Sequence, residues 1–333
     1  MKPSLSFSPA FWVAVGLATL ANFCRAEEAP ALPALNTPSY VVDPSWPQGG
    51  SGGLGAVSGV AVDVDDSVWV FKRSKPYVVV FDAAGKLIRS WDASFVKPHQ
   101  IRLSPDGHVW VTDYVGEVVQ KYTREGKLLL SLGTPGKQGQ DGKHFYLPTD
   151  VAVDPGSGDI FVSDGYGNAR IARFDASGKY LSEFGHHGAE PGAMNLPHSL
   201  VMDSTGNLYE ADRDNGRLQI FDQGGKLLKV WEAMAPWGLW MTKSDELWIC
   251  GTSAKPAHLK IWKSIPPRDQ WVMRVKPSGE ILGRWQFPRG KDDHCQPGEL
   301  AWVHCIAVDS HQNLYLGDVR GNGLQKFVIQ PKD

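Results

Sequence analysis

From Tyr40 onward the chain repeats one pattern of apolar and polar positions. A short apolar run ends in Asp. A turn with Gly or Asn follows, then an apolar-aromatic strand, an Asp-containing turn, another strand, a Gly-Lys turn and a last strand. The clearest copies run from Pro98 to Gly133, from Leu147 to Gly185 and from Leu196 to Trp231. Weaker copies begin near Ala56, Pro236 and Trp302. Within each copy apolar residues alternate with a period of two rather than 3.6, so the pattern predicts short strands and no long amphipathic helix. Six copies over roughly 300 residues give about fifty residues each, the length of a four-stranded propeller blade. The fold class read from this is all-β, a six-bladed β-propeller covering residues 40–333.

The last copy stops after its third strand, near Ile329, while Tyr40-Val41-Val42 reads as an orphan strand ahead of the first copy. Pairing the orphan onto the last blade closes the ring and removes an exposed edge. Residues 27–39 are rich in Ala and Pro, show no apolar period and predict a flexible lead-in.

Length and composition fit this picture. The 333 residues are 42% hydrophobic and 21% charged, enough to bury a large core. A net charge of -2 with scattered Lys and Arg argues against a nucleic-acid partner. Residues 1–26 predict a cleaved export signal: Lys2 supplies the positive start, Phe11 to Leu20 the apolar stretch, and Cys24-Arg25-Ala26 the cleavage site. That apolar stretch, about ten residues, is too short to span a bilayer. Bulky Asn22 and Phe23 disfavour a lipid anchor on Cys24. The mature chain is therefore expected in the periplasm or outside the cell, without a membrane anchor and as a monomer. It would keep Cys250, Cys295 and Cys305, enough for one bridge and one thiol, or for three thiols.

Aligning the six copies on the first apolar run gives a column of residues at the entrance of each innermost strand. It reads Ser58, His99, Thr149, His198, Trp237, His304. Histidine occupies every second blade. Around a six-fold axis, alternate positions form a trigonal set, and three neutral imidazoles with an open fourth position suit a catalytic Zn²⁺. Any single histidine is better read as a satisfied or solvent-exposed side chain; the regular alternation is what favours a metal site.

The segments from Pro148 to Ile171, Leu196 to Leu200 and Ala211 to Gln219 closely resemble peptidyl-α-hydroxyglycine α-amidating lyase, an NHL-type propeller family. The resemblance implies a lyase that splits an α-hydroxyglycine extension into a peptide amide and glyoxylate. It implies that His99, His198 and His304 hold zinc, that Tyr166 is the active-site tyrosine, that Arg73 faces the substrate and that Arg213 matches a further family arginine. Zn²⁺ would acidify the substrate hydroxyl as a Lewis acid. Tyr166 would act as general base only with Zn²⁺ and an arginine stabilising its phenolate. Arg73 would hold the substrate carboxylate by a bidentate pair.

This chain departs from the family in three respects. Cys305 stands where the family has an aspartate that helps hold a structural Ca²⁺, so that Ca²⁺ ligand is missing here. Cys305 could instead bind metal as a thiolate or pair with Cys295. Tyr146 with Gly167, and Tyr209 with Ile220, replace the two family disulfides. No copper hydroxylase half is present in the sequence, so hydroxylated substrate would come from elsewhere. The competing reading is a non-catalytic exported propeller whose face binds a protein or glycan. A lactonase-like hydrolase is a third reading, but such propellers use acidic metal ligands and this column offers imidazoles.

Overall fold

A computed structural model describes residues 37–50, 53–232, 234–253, 269–291, 295–321 and 323–330. The predicted leader and most of the lead-in lie outside the described residues. The rest forms six antiparallel sheets of four strands each, as the repeat predicts. Their innermost strands are Val57–Val62, Pro98–Leu103, Pro148–Val153, Pro197–Met202, Ala235–Met241 and Val303–Val308. These six strands neighbour one another in a ring around the channel. Helical structure among the described residues amounts to Gly53 and the single turn Arg213–Asn215, and no helix there is long and apolar enough to cross a membrane.

The ring closes as expected. Strand Tyr40–Val42 pairs antiparallel with Leu324–Ile329, Tyr40 opposite Ile329 and Val42 opposite Phe327. Trp285 clamps this closure: its indole N–H donates to the Pro38 carbonyl at 2.7 Å and its ring meets Tyr40 edge-on at 5.2 Å. The blades are held apart and together by one aromatic each, at the second residue of the second strand: Trp69, Trp110, Phe161, Tyr209, Trp248 and Tyr315. All six are buried. Truncating any of them to Ala would leave a cavity costing about 3–5 kcal/mol.

One blade breaks the pattern. The third residue of the second strand is Val111 in blade 2 and Val162 in blade 3, but Glu210 in blade 4. Glu210 is fully buried and neither carboxyl oxygen has a hydrogen-bond partner. Burial, reinforced by the Asp212 charge and only partly offset by Arg217 and the nearby Gln219 amide, pushes its pKa well above the usual glutamate value. The folded state therefore keeps the proton that the unfolded chain releases near pH 4.3, and stability falls as pH rises from there through the raised pKa. Glu210→Gln is expected to raise Tm by roughly 2 °C or more at neutral pH, with the gain vanishing near pH 4. Thermal melts at both pH values check this.

Candidate metal centre and active site

Each innermost strand carries a register shift at the predicted column. The shifts fall between Val57 and Gly59, Pro98 and Gln100, Pro148 and Asp150, Pro197 and Leu200, Pro236 and Gly238, and Val303 and Cys305. The residues skipped include all six column members: Ser58, His99, Thr149, His198, Trp237 and His304. A bulge leaves its residue out of the ladder and re-aims its side chain. Here the bulges aim the histidines into the channel.

The ligand nitrogens of His99, His198 and His304 lie within 4.8 Å of one another, and all three residues are buried. Their ring centroids are 4.8, 4.8 and 4.9 Å apart, with planes inclined by 70–74°. The intervening column members supply the backing. His99 Nδ1 meets the Thr149 carbonyl at 2.6 Å, His198 Nδ1 the Trp237 carbonyl at 2.5 Å and His304 Nδ1 the Ser58 carbonyl at 2.8 Å. A carbonyl only accepts, so each Nδ1 carries the hydrogen and each Nε2 presents a bare lone pair.

Those three lone pairs are under-satisfied. The Tyr166 hydroxyl lies 3.0 Å from His99 Nε2 and 2.9 Å from His198 Nε2, but it has a single proton to donate. His304 Nε2 is buried with no partner. Burial holds the His99 and His198 pKa values well below the imidazole range, aided by the positive charges of Arg73, Arg213 and protonated neighbouring rings. Burial and the Arg73 charge bring His304 down to about 3. Three neutral imidazoles, each fixed by an Nδ1–H bond and converging through unprotonated Nε2 atoms, form the donor set of a metal ion with its outer shell in place. The residues fit a metal.

The flanking residues come from the turn after each second strand, which ends at the same mouth as the innermost strand begins because the two are antiparallel. Tyr166 follows Ile160–Asp164, and its backbone N–H bonds the Leu147 carbonyl at 3.1 Å. Gly165 precedes it because a Cβ there would sit 1.7 Å from the Pro197 carbonyl oxygen. Burial raises the Tyr166 pKa, while Arg213 and Arg73 pull it down. Arg213, directly after Leu208–Asp212, lies over the Tyr166 ring at 5.6 Å and the Trp237 ring at 4.6 Å, its Nε donating to Asp214 at 2.9 Å. Arg73, directly after Val68–Lys72, is half-buried, and its Nε donates to the Pro98 carbonyl at 3.3 Å. The structure thus brings all six sequence-predicted site residues to one mouth of the channel. It adds Tyr114, which follows Val109–Asp113 at the place matching Arg73 and Arg213. Its ring packs 5.5 Å from His99 and 5.3 Å from Tyr166. That matching place was the signal that could have found it.

Cys305 takes neither role considered for it. Cys305 is a free, buried thiol and does not pair with Cys295. Its neighbour in the chain turns into the channel, and the alternation of the strand sends Cys305 the other way, into an apolar cluster with Val57, Val60 and Leu324. Burial raises its thiol pKa far above the usual value, so it stands as a neutral thiol away from the histidines. The positions of the two family disulfides are nonetheless adjacent. Gly167 N–H bonds the Tyr146 carbonyl at 2.9 Å, and Tyr209 is the cross-strand partner of Ile220.

Beneath the histidines the channel is filled. Arg102 reaches from blade 2 to Asp150 of blade 3 at 3.0 and 2.5 Å, to Ser199 Oγ of blade 4 at 3.0 Å and to the Leu239 carbonyl of blade 5 at 2.9 Å. Asp150 is fully buried and also accepts from Ser199 Oγ and Leu200 N–H. Below this clamp a cavity of about 640 Å³ opens at the opposite mouth, lined by Arg102, Trp240, Leu103, Val153 and Met202 among others. Arg102 is committed to the clamp, and the one group of potential metal ligands found among the described residues, His99, His198 and His304, lies at the other end.

Fold and site define the class: a six-bladed NHL-repeat propeller with a three-histidine centre. The NHL repeat family matches residues 145–174. Peptidyl-glycine alpha-amidating monooxygenase B of Xenopus laevis is 36% identical over 86% of this chain and 35% of its own length. A probable peptidyl-alpha-hydroxyglycine alpha-amidating lyase of Caenorhabditis elegans is 31% identical over 58% of this chain and 62% of its own. NHL repeat-containing protein 3 of Mus musculus is 34% identical over 58% and 61%. The chain spans about a third of the length of the monooxygenases it matches. The chain is thus an NHL-repeat propeller similar to peptidyl-alpha-hydroxyglycine alpha-amidating lyases.

Proposed function

We propose that this protein is a zinc-dependent lyase acting on a peptidyl-α-hydroxyglycine, or a related N-acyl carbinolamine bearing a carboxylate. The observation that carries the reading is the cluster of three unprotonated Nε2 atoms in one buried site, two of them sharing the Tyr166 hydroxyl and the third, on His304, without a partner. A non-catalytic binding face has no need of such a cluster. In the reaction the carbinol O–H loses its proton, its oxygen becomes the aldehyde oxygen of glyoxylate, and the C–N bond breaks. The proton ends on the departing amide nitrogen, so atoms and charge balance.

His99, His198 and His304 would hold the zinc, which supplies Lewis acidity at the substrate oxygen. Tyr166 takes the carbinol proton and returns it to the nitrogen, a role its raised pKa permits only with added positive charge close by. Arg213, stacked over the Tyr166 ring, supplies part of that charge. Arg73 donates its Nε to the Pro98 carbonyl, and its terminal nitrogens are available to clamp the substrate carboxylate. Trp237 packs beside His198 and His304 and keeps bulk water off the imidazoles. The export signal read in the sequence assigns this reaction to the periplasm or the exterior.

The test is glyoxylate release from N-benzoyl-α-hydroxyglycine. Arg73→Ala is expected to raise KM about 10- to 100-fold, the worth of a charge-assisted hydrogen-bond pair, with a smaller change in kcat. An unchanged KM would remove Arg73 from the carboxylate site.

A further inference from the structure

We propose that Tyr114 is the positioning residue for Arg73, presenting its guanidinium edge to the substrate carboxylate; this rests on the lyase reading above. Arg73 has few other supports. Its Nε donates to the Pro98 carbonyl at 3.3 Å, a long bond, and its carbon Cζ lies 5.8 Å from the centre of the Tyr114 ring. A guanidinium held by its face on an aromatic ring keeps its N–H edge free for a carboxylate.

Tyr114 is itself fixed from three sides. Its backbone N–H bonds the Lys97 carbonyl at 3.2 Å, and its ring meets His99 edge-on at 5.5 Å and leans on Tyr166 at 5.3 Å. Pro98, which takes the Arg73 Nε bond, immediately precedes His99. Through Tyr114 and Pro98, the guanidinium is therefore referenced to the strand that delivers a metal-site histidine. The Nε bond to Pro98 and the place over the Tyr114 ring, which itself meets His99 and Tyr166, put the Arg73 charge beside the reacting groups. A flexible arginine without the ring would spread its charge over many rotamers and lose most of that placement.

The ring, not the hydroxyl, does the holding, and this separates the proposal from a general structural role. Tyr114→Phe should leave the KM for N-benzoyl-α-hydroxyglycine and the Kd for glyoxylate, measured by calorimetry on the zinc-loaded protein, within about twofold of wild type. Tyr114→Leu should raise both about 5- to 20-fold with kcat within about threefold, as expected for a lost cation–π contact beside a desolvated site. In the Tyr114→Leu background, Arg73→Ala should cost less than it does in wild type, since the two residues act as one unit. Should the Leu variant fail to fold, Tyr114→Met carries the same comparison.

The two readings fail differently. If wild type binds glyoxylate, loses it in Tyr114→Leu, keeps it in Tyr114→Phe, yet releases none from the carbinolamide, the lyase reading falls and the positioning role stands. If wild type binds no glyoxylate, or Leu equals wild type, or Phe is as impaired as Leu, the positioning role is overturned.

Discussion

Tyr166→Phe is expected to lower kcat for glyoxylate release by about 10² to 10⁴, the range for loss of a general base, while metal content stays at the wild-type level. The substitution removes one oxygen and leaves the ring that Arg213 covers at 5.6 Å and Tyr114 meets at 5.3 Å, so the walls of the site keep their packing. It also removes the one hydroxyl shared by His99 and His198 Nε2. In the metal-loaded protein those nitrogens are engaged by the ion, so no buried acceptor is orphaned there. KM should change little, because the carboxylate clamp proposed above is on Arg73. Steady-state kinetics with metal analysis of the same samples separates these outcomes. Equal turnover in the Phe variant would remove Tyr166 from proton transfer.

The second large effect is on the metal itself. His304→Ala is expected to weaken zinc binding on the order of 10²-fold or more and to take glyoxylate release to background, because two imidazoles and a phenol cannot replace a three-nitrogen set. His304 Nε2 has no protein partner, so its loss breaks no hydrogen bond at that atom; only the Nδ1–H bond to the Ser58 carbonyl is lost. A folded, zinc-poor and inactive variant is therefore the expected product. Cys305→Ser, one residue on, should retain zinc, since that thiol is buried in the blade's apolar cluster. Equilibrium dialysis against zinc, with circular dichroism to confirm the fold, checks both. Full zinc retention by His304→Ala would show that the ion, if any, sits elsewhere.

Much of this site is legible in the sequence because it is built on repetition. His99, His198 and His304 fall in one column because each sits at the same bulge of the same strand, and the alternation around a six-fold ring turns a sequence spacing into a trigonal geometry. The closing strand is legible too, since Tyr40–Val42 has no blade of its own and the last blade lacks a fourth strand. Tyr166, Arg73 and Arg213 were reached through family resemblance rather than periodicity. Their shared place after the second strand is blurred by Gly165, which sets Tyr166 one position later than Arg73, Tyr114 and Arg213. That offset also hid Tyr114. The Arg102–Asp150 clamp was out of reach for a different reason: the alternation shows that both residues face inward, but their pairing depends on side-chain reach across the channel. The fate of Cys305 shows the same limit, since its position beside His304 in the chain places it on the opposite face of the strand.

The proposed function makes this propeller a metal-dependent carbon–nitrogen lyase with its metal on the three histidines. It is tested most directly by one measurement: glyoxylate release from N-benzoyl-α-hydroxyglycine by the purified chain as isolated, after chelation, and after zinc is restored. The expected result is release that tracks bound zinc, lost on chelation and recovered on reconstitution. A protein holding a full complement of zinc that releases no glyoxylate, or one that releases it equally well without metal, would contradict it.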